Sequence, residues 1–159
     1  MVRCSLISQC RSRYQKSIFR DVFQYAAGAD GRLLDATPNL KYKAMFALMY
    51  SSGLRVSEVI HLNYEDISRT NMQIDNRNSK THSSRYAILS KRALDILTEY
   101  WFKCGKPKGI LFPNQWTGEY LTPSATGLEM RKSVKKAGLS KDVHSHCLRH
   151  GAFFHPCVP

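Results

Sequence analysis

Two short segments, far apart in the chain, each place an arginine at the edge of an apolar helical pattern. Residues 53–59 read Gly-Leu-Arg-Val-Ser-Glu-Val, and residues 146–150 read His-Cys-Leu-Arg-His. His146 and Arg149 are three residues apart, so a helix would bring both side chains to one face. Arginine stays charged and presents a planar fork of donors that can hold two phosphate oxygens at once. The two segments therefore predict a phosphate clamp, formed where the fold brings Arg55 and Arg149 together.

The overall charge agrees with a polyanionic partner. Lysine and arginine number 24 against 12 acidic residues, which gives a formal net charge of +12. Nucleic acid is the simplest partner for such an excess, although a basic protein without that partner has the same composition. The 5 cysteines are irregularly spaced without a C-x-x-C pair, and no apolar run reaches the length of a membrane span. These features predict free thiols in a reducing cytoplasm.

The apolar periodicity along the chain predicts mostly helices with one hairpin. Helices are expected over residues 39–51, 55–62, 122–137 and after Ser90, with Gly53 in a left-handed conformation behind the first. Residues 72–89 alternate around a polar tip and predict a β-hairpin, with Lys80 in its turn and Arg85 five residues later. Residues 110–112 predict a short apolar strand, and residues 114–119 predict a turn.

Two basic stretches have more than one interpretation. The helix after Pro123 carries four cations near its end, which indicate either an ordinary solvated face or contacts with a DNA backbone. These four residues are Arg131, Lys132, Lys135 and Lys136. Residues 1–20 contain five basic residues and no acid, the composition of a DNA-contacting arm or of an organellar transit peptide.

These residues together resemble a known family. Residues 53–59, Lys80 with Arg85, and His146 with Arg149 are similar to the catalytic domain of tyrosine recombinases, the phage integrase and Xer-like group. The resemblance covers residues 34–150 and implies an α+β, mainly α fold with a small antiparallel sheet, incomplete at the C-terminus. Residues 1–33 are then a basic arm or remnant, and residues 151–159 a tail outside the family pattern.

The resemblance also implies an activity. It implies DNA integration and recombination by strand cleavage and rejoining, with double-stranded DNA as partner and no metal or other cofactor. Complete members assemble as tetramers on DNA, an assembly not expected to form fully here.

The resemblance implies a role for each matching residue. Arg55 and Arg149 would clamp the reacting phosphate, Lys80 would protonate the departing 5′ oxygen, and His146 would accept the proton of the nucleophile. Glu58 and His150 would be supporting residues, and Arg85 a DNA-binding residue. The basic face of the helix after Pro123 is assigned to DNA binding by its charge and not by the resemblance: Arg131, Lys132, Lys135 and Lys136.

Each catalytic assignment has a plainer alternative. Arg55 would otherwise be a surface arginine paired with Glu58, three residues later. Lys80 would otherwise be a solvated lysine of a turn. His146 would otherwise be a histidine at a helix start, with its hydrogen bonds satisfied by the backbone.

The family nucleophile has no counterpart in this sequence. Family members carry a tyrosine beyond the second arginine, whereas the last tyrosine here is Tyr120. A phosphate clamp without a nucleophile cannot cut DNA through a covalent intermediate. We therefore expect a catalytically incomplete, truncated mobile-element recombinase, with partly uncovered apolar surface on the helices around residues 42–50 and 93–101. The alternative is a non-catalytic DNA-binding or regulatory fragment.

A cluster of soft ligands gives a second alternative. Imidazole and thiolate groups at high density can bind zinc, which would make the chain a zinc-dependent interaction module. The cluster consists of His144, His146, Cys147, His150, His155 and Cys157. Its spacing does not match a standard zinc finger, and a chance cluster is the simpler interpretation.

Overall fold

The computed structural model describes residues 32–77, 85–106, 108–139, 141, 143–145 and 148–149. This part of the chain is mainly helical with a small antiparallel sheet, as predicted. The helices are α1 (Arg32–Ala36), α2 (Leu40–Ser52), α3 (Val56–Ile60), α4 (Lys91–Lys103) and α5 (Pro123–Lys136). A 3₁₀ turn (Tyr64–Asp66) leads into the strands β1 (Ile67–Ser68), β2 (Gln73–Asn76) and β3 (Arg85–Ile88).

Helix α2 is the centre of the core. It begins where the Asn39 side chain accepts a hydrogen bond from the backbone N–H of Lys41 at 3.0 Å, and residues 44–49 are all buried. It ends at Gly53, which has a φ of 62° and donates its N–H to the carbonyl of Met49 at 3.1 Å. The predicted helix and its left-handed terminator are both confirmed. The next helix, α3, is shorter than predicted, because Arg55 caps it and His61 ends it.

The two helices expected to be partly uncovered pack on each other. Helices α2 and α4 are in contact, residues 44–49 of α2 are buried, and Ala93, Leu97 and Tyr100 of α4 are buried as well. Tyr42, Tyr50 and Leu94 are half-buried and pack against this core, so these faces are mostly covered and are partly exposed at their edges. The exposed large apolar side chains of the described residues are Tyr86, Ile88, Phe102, Trp116, Tyr120 and Leu128. Among the described residues, no helix has both the length and the apolar character needed to cross a membrane.

The three strands pair in the order β1-β2-β3, antiparallel throughout. The predicted hairpin is confirmed, with Ile74 opposite Ala87 on the buried face and Asp75 opposite Tyr86 on the outer face. Strand β1 has two residues and gives no periodic signal, which explains why sequence reasoning missed it.

The strand predicted at residues 110–112 is wrong. Ile110 forms an isolated bridge with Asn63, and the N–H of Leu111 donates to the carbonyl of Leu62 at 2.9 Å. Leu111 and Phe112 are consecutive and both buried, so the segment packs as an irregular core connection without the alternation of a strand. The predicted turn that follows is confirmed, since the N–H of Gly118 donates to the carbonyl of Asn114 at 2.9 Å.

Side-chain caps fix the starts of α4 and α5. The Ser90 hydroxyl accepts the N–H of Ala93 at 3.2 Å, and the Thr122 hydroxyl accepts the N–H of Ala125 at 3.3 Å. Tyr100 of α4 donates its hydroxyl to the carbonyl of Leu111 at 3.2 Å, and its burial raises the pKa of this phenol. The hydroxyl therefore stays protonated and ties α4 to residues 110–112.

The same substitution at two glycines tests the role of the left-handed turn. Gly53→Ala should lower the free energy of unfolding by about 1 kcal/mol, because a Cβ is strained at positive φ. Gly127→Ala, within α5, should raise it by up to about 1 kcal/mol, because a Cβ there has nothing within 4 Å. Urea unfolding of the three proteins measures both shifts. Equal midpoints for Gly53→Ala and the wild type would contradict the strained turn.

Candidate functional site

The first predicted arginine lies at the start of α3 and is held there by a buried carboxylate. The backbone N–H of Arg55 donates to Oε2 of Glu58 at 2.7 Å, and its Nη1 donates to Oε1 at 3.1 Å. The Glu58 side chain is 3% exposed, whereas that of Arg55 is 46% exposed. The carboxylate therefore stabilises the helix start and orients the guanidinium together.

The contact with Glu58 uses only part of the N–H donors of the Arg55 guanidinium. A guanidinium has about five N–H donors, and the contact with Glu58 uses one of them. The plainer alternative, a surface arginine paired with Glu58, is thus correct as to the pairing. The pairing still leaves a fixed, half-exposed guanidinium that can hold an anion.

The two predicted arginines are anchored to one core. Leu54 precedes Arg55 and is fully buried, and Leu148 precedes Arg149 and is 4% exposed. Both leucines belong to the same cluster of buried residues. Arg149 itself is half-buried, on helical backbone. The backbones that carry both arginines are therefore fixed by the same packing.

The other predicted catalytic residues, Lys80 and His146, and the predicted supporting residue His150 lie outside the described residues. The backbone of Arg85 is described and pairs with Asn76 at the first position of β3. Lys80 belongs to the segment that joins these two strands in sequence.

The zinc alternative concerns a part of the chain that is mostly not described. Of the six proposed ligands, His144 is among the described residues, whereas the other five are not. Within the described ranges, no group of three or more His, Cys, Asp or Glu side chains is arranged to hold a metal ion. The alternative therefore stays a prediction.

The predicted basic helix is α5, and its cations are exposed. Arg131, Lys132, Lys135 and Lys136 all lie on the surface, and Lys132 pairs with Glu129 at 3.3 Å. Helix α5 packs against α3, which begins beside Arg55. The basic surface of α5 thus belongs to a helix in direct contact with the helix that carries the candidate site.

Sequence reasoning missed one charged residue beside the hairpin. Nε of Arg77 lies 3.2 Å from Oδ1 of Asp66 and 3.2 Å from Oδ2 of Asp75. The spacing of Asp75 and Arg77, two residues apart at the end of a predicted strand, was a signal for one of these contacts. The contact with Asp66 depends on the fold and had no signal in the sequence.

Comparison with protein-family models identifies the chain. The model of the phage integrase family matches residues 31–155, which is most of the sequence. The chain belongs to the phage integrase family of tyrosine recombinases. The resemblance described from the sequence motifs is therefore confirmed at the level of the family.

Individual relatives agree with the family. The chain is 36% identical over 117 residues to a putative integrase/recombinase, y4qK, of Sinorhizobium fredii, covering 74% of this chain and 38% of the relative. It is 33% identical over 125 residues to the tyrosine recombinase XerD of Corynebacterium glutamicum, covering 76% of this chain and 41% of the relative. The chain spans less than half the length of these curated relatives.

Solved structures share the fold. The crystal structure of a XerA recombinase superposes with a TM-score of 0.67 at 25% identity, over 76% of this chain and 44% of that one. A XerH site-specific recombinase, bound to its difH substrate in a pre-cleavage complex, gives a TM-score of 0.63 at 22% identity. It covers 76% of this chain and 39% of that one, and this likeness concerns the fold.

Removal of the buried carboxylate tests how the Arg55 site of this family member is held. Glu58→Ala should lower the free energy of unfolding by roughly 2 kcal/mol, because the helix start loses its acceptor and Arg55 loses its partner. Glu129→Ala removes an acid from another i,i+3 ion pair, on α5, and should cost about 0.5 kcal/mol or less. Urea midpoints of both variants give the comparison. Equal destabilisation by the two substitutions would show that Glu58 is an ordinary helix-surface acid.

Proposed function

We propose that this chain binds duplex DNA through its phosphate backbone and holds one phosphodiester between Arg55 and Arg149. The observation that supports this most directly is the geometry of Arg55, whose half-exposed guanidinium is fixed by the buried Glu58. Membership of the recombinase family supports the same function. The basic face of α5 supplies further backbone contacts.

The chemistry that these residues would support, where a nucleophile is supplied, is DNA strand cleavage. A nucleophile attacks phosphorus, negative charge grows on the non-bridging oxygens, and the two arginines stabilise that charge. We assign Lys80 the protonation of the 5′ oxygen that leaves, and His146 the acceptance of the proton from the nucleophile. Glu58 and His150 support these groups, and no metal ion takes part in the scheme.

In this proposal, DNA cleavage requires a nucleophile, whereas DNA binding does not. The sequence contains no tyrosine after Tyr120, so the family position beyond Arg149 is not represented in these 159 residues. The ring of Tyr120 packs against that of His61, with centroids 4.9 Å apart, next to a backbone bridge between Pro113 and Tyr120. We therefore propose that the 159-residue chain on its own binds DNA without cleaving it.

We also propose the cellular compartment, the domain organisation and the oligomeric behaviour that go with this function. The exposed thiol of Cys104 is free, which fits the reducing cytoplasm predicted from the cysteine pattern. We extend the domain assignment as a proposal, with residues 1–33 as a basic arm or remnant and residues 34–150 as the partial catalytic domain. We do not expect this chain by itself to complete the tetramer that the family resemblance implies.

Salt dependence tests the binding proposal. The logarithm of the DNA association constant should fall linearly with the logarithm of the salt concentration, by about 0.9 for each phosphate contact. Replacing four cations of α5 by glutamine should reduce that slope by about one for each phosphate that is no longer neutralised. The replaced residues are Arg131, Lys132, Lys135 and Lys136. Fluorescence anisotropy with a labelled duplex at several salt concentrations measures the slope.

A variant with the same change in charge serves as the control. It replaces four exposed cations outside α5 by glutamine: Lys91, Arg92, Lys103 and Lys108. This variant should keep most of the wild-type slope. A wild-type chain that does not bind, or binds independently of salt, would contradict the proposal, and equal slopes for the two variants would exclude α5 as the contact surface.

A nicked suicide duplex tests for cleavage. With the 159-residue chain bound at saturation, a denaturing gel should show no protein–DNA adduct, because a phosphotyrosyl bond needs a correctly placed phenol. The Tyr120→Phe variant is assayed in parallel. An adduct that forms with the wild type and does not form with Tyr120→Phe would overturn the expectation and assign the nucleophile to Tyr120.

A further inference from the structure

Strand β3 forms one edge of the sheet. The described strands pair in the order β1-β2-β3, which gives β3 a neighbouring strand on one side, β2. On its outer face, the side chains of Tyr86 and Ile88 are 71% and 65% exposed, whereas Ala87 between them is buried. Packing therefore covers the inner face of β3 and leaves two large apolar side chains exposed on the outer face, along the edge.

The backbone of β3 has polar groups that β2 does not use. In an antiparallel ladder, successive residues direct their N–H and C=O groups alternately toward and away from the neighbouring strand. The N–H of Leu89 donates to the carbonyl of Met72, one residue before β2, at 2.9 Å, so Leu89 faces β2. By this alternation Ala87 also faces β2, whereas Tyr86 and Ile88 face away from it. In the part of the chain that the structure describes, no helix or loop forms a backbone hydrogen bond with Tyr86 or Ile88.

The edge lacks two features that commonly keep an exposed strand from pairing, proline and charge. Neither occurs at residues 86–88, and the charged residue of β3 is Arg85, at its first position. The ladder places Asp75 opposite Tyr86, and Oδ2 of Asp75 is paired with Nε of Arg77 at 3.2 Å. Residues 86–88 are therefore an uncharged stretch of edge in a chain with a net charge of +12.

A second copy of β3 is complementary to this edge. In an antiparallel register centred on Ala87, Tyr86 of each copy lies opposite Ile88 of the other, and each such pair exchanges two backbone hydrogen bonds. This register uses every outward N–H and C=O group of the two residues on both copies, in four hydrogen bonds. It also sets an aromatic ring beside a β-branched side chain, a favourable cross-strand pair. Because residues 86–88 are uncharged, two molecules of like net charge can approach there without placing charges directly opposite each other.

We propose that two copies of this chain associate through β3, so that their sheets join into one antiparallel sheet. The contact is isologous and uses the same edge of both copies, so the assembly ends at a dimer. The contact is small, and the dimer should therefore be weak and form as the protein concentration rises. The inference goes beyond the proposed function, because it uses neither the phosphate site nor α5.

Sedimentation velocity of the full chain without DNA measures the association. Sodium chloride at about 0.5 M screens the repulsion between the two positive molecules. The weight-average sedimentation coefficient of the wild type should rise with concentration from the value of a monomer toward that of a dimer and no further.

Two substitutions at the edge are compared with a control. Ile88→Lys places a cation on each β3 and should raise the dissociation constant of the dimer by about tenfold or more. Tyr86→Thr keeps a β-branched strand residue but removes the aromatic ring, and should raise it by about threefold, which keeps the test valid if Ile88→Lys folds poorly. The control Leu128→Lys makes the same change of charge at an exposed leucine of α5 and should alter the constant by about twofold or less.

Hydrogen exchange resolved to single amides tests the pairing itself. In the dilute monomer, β2 protects the amides of Ala87 and Leu89, whereas those of Tyr86 and Ile88 should exchange rapidly. When about nine-tenths of the chain is dimeric, the amides of Tyr86 and Ile88 should exchange about tenfold more slowly, because exchange then proceeds through the remaining monomer.

Each contrary result overturns the proposal. One such result is a chain that stays monomeric up to its solubility limit, and another is an assembly larger than a dimer. Equal weakening by Ile88→Lys and Leu128→Lys, or a dimer that leaves the amides of Tyr86 and Ile88 unprotected, would place the association on another surface. If these two amides are already protected in the dilute monomer, a segment of the same chain covers the edge instead of a second copy.

Discussion

The contact between Arg55 and Glu58 is the interaction on which the candidate site depends. One buried carboxylate accepts both a backbone N–H and a guanidinium N–H of the same residue, so backbone and side chain are fixed together. Burying a carboxylate is costly unless it is paired and hydrogen-bonded, and here both conditions are met at the first turn of α3. The negative charge also lies at a helix N-terminus, where it is favourable.

That contact forms only because the chain turns sharply before it. Gly53 takes a left-handed conformation that ends α2, and the buried Leu54 follows it, which leaves Arg55 at the surface. The buried Leu148, which directly precedes Arg149, belongs to the same core. Apolar packing thus sets the backbone positions of both arginines, whereas polar contacts set the direction of the Arg55 side chain.

The sequence predicted features that depend on neighbouring residues and missed those that depend on distant ones. The left-handed Gly53 and the pairing of Glu58 with Arg55 both join residues at most four positions apart, and both were readable from the sequence. The bridge between Asn63 and Ile110 joins segments far apart in the sequence, and an apolar triplet was mistaken for a strand there.

The candidate site follows the same rule. The local contact of Arg55 was readable from an i,i+3 spacing, whereas the contact of Arg77 with Asp66 crosses from a strand end to a 3₁₀ turn and gave no periodic signal. The family motifs identified the candidate site residues. The spacing of those motifs does not indicate which distant side chains contact a turn. Whether Lys80 and His146 meet the arginines stays a prediction, since both lie outside the described residues.

The exposure of Arg77 has a consequence for how ionic strength acts on this molecule. Its guanidinium is 60% exposed, so its attraction to the two carboxylates is partly screened by mobile ions, although the buried side of Asp66 is screened less. The contacts between basic residues and a DNA backbone weaken in the same salt. Higher ionic strength would then weaken both the binding of the protein to DNA and the ion pairs that Arg77 forms at the end of β2. These two responses would reinforce each other.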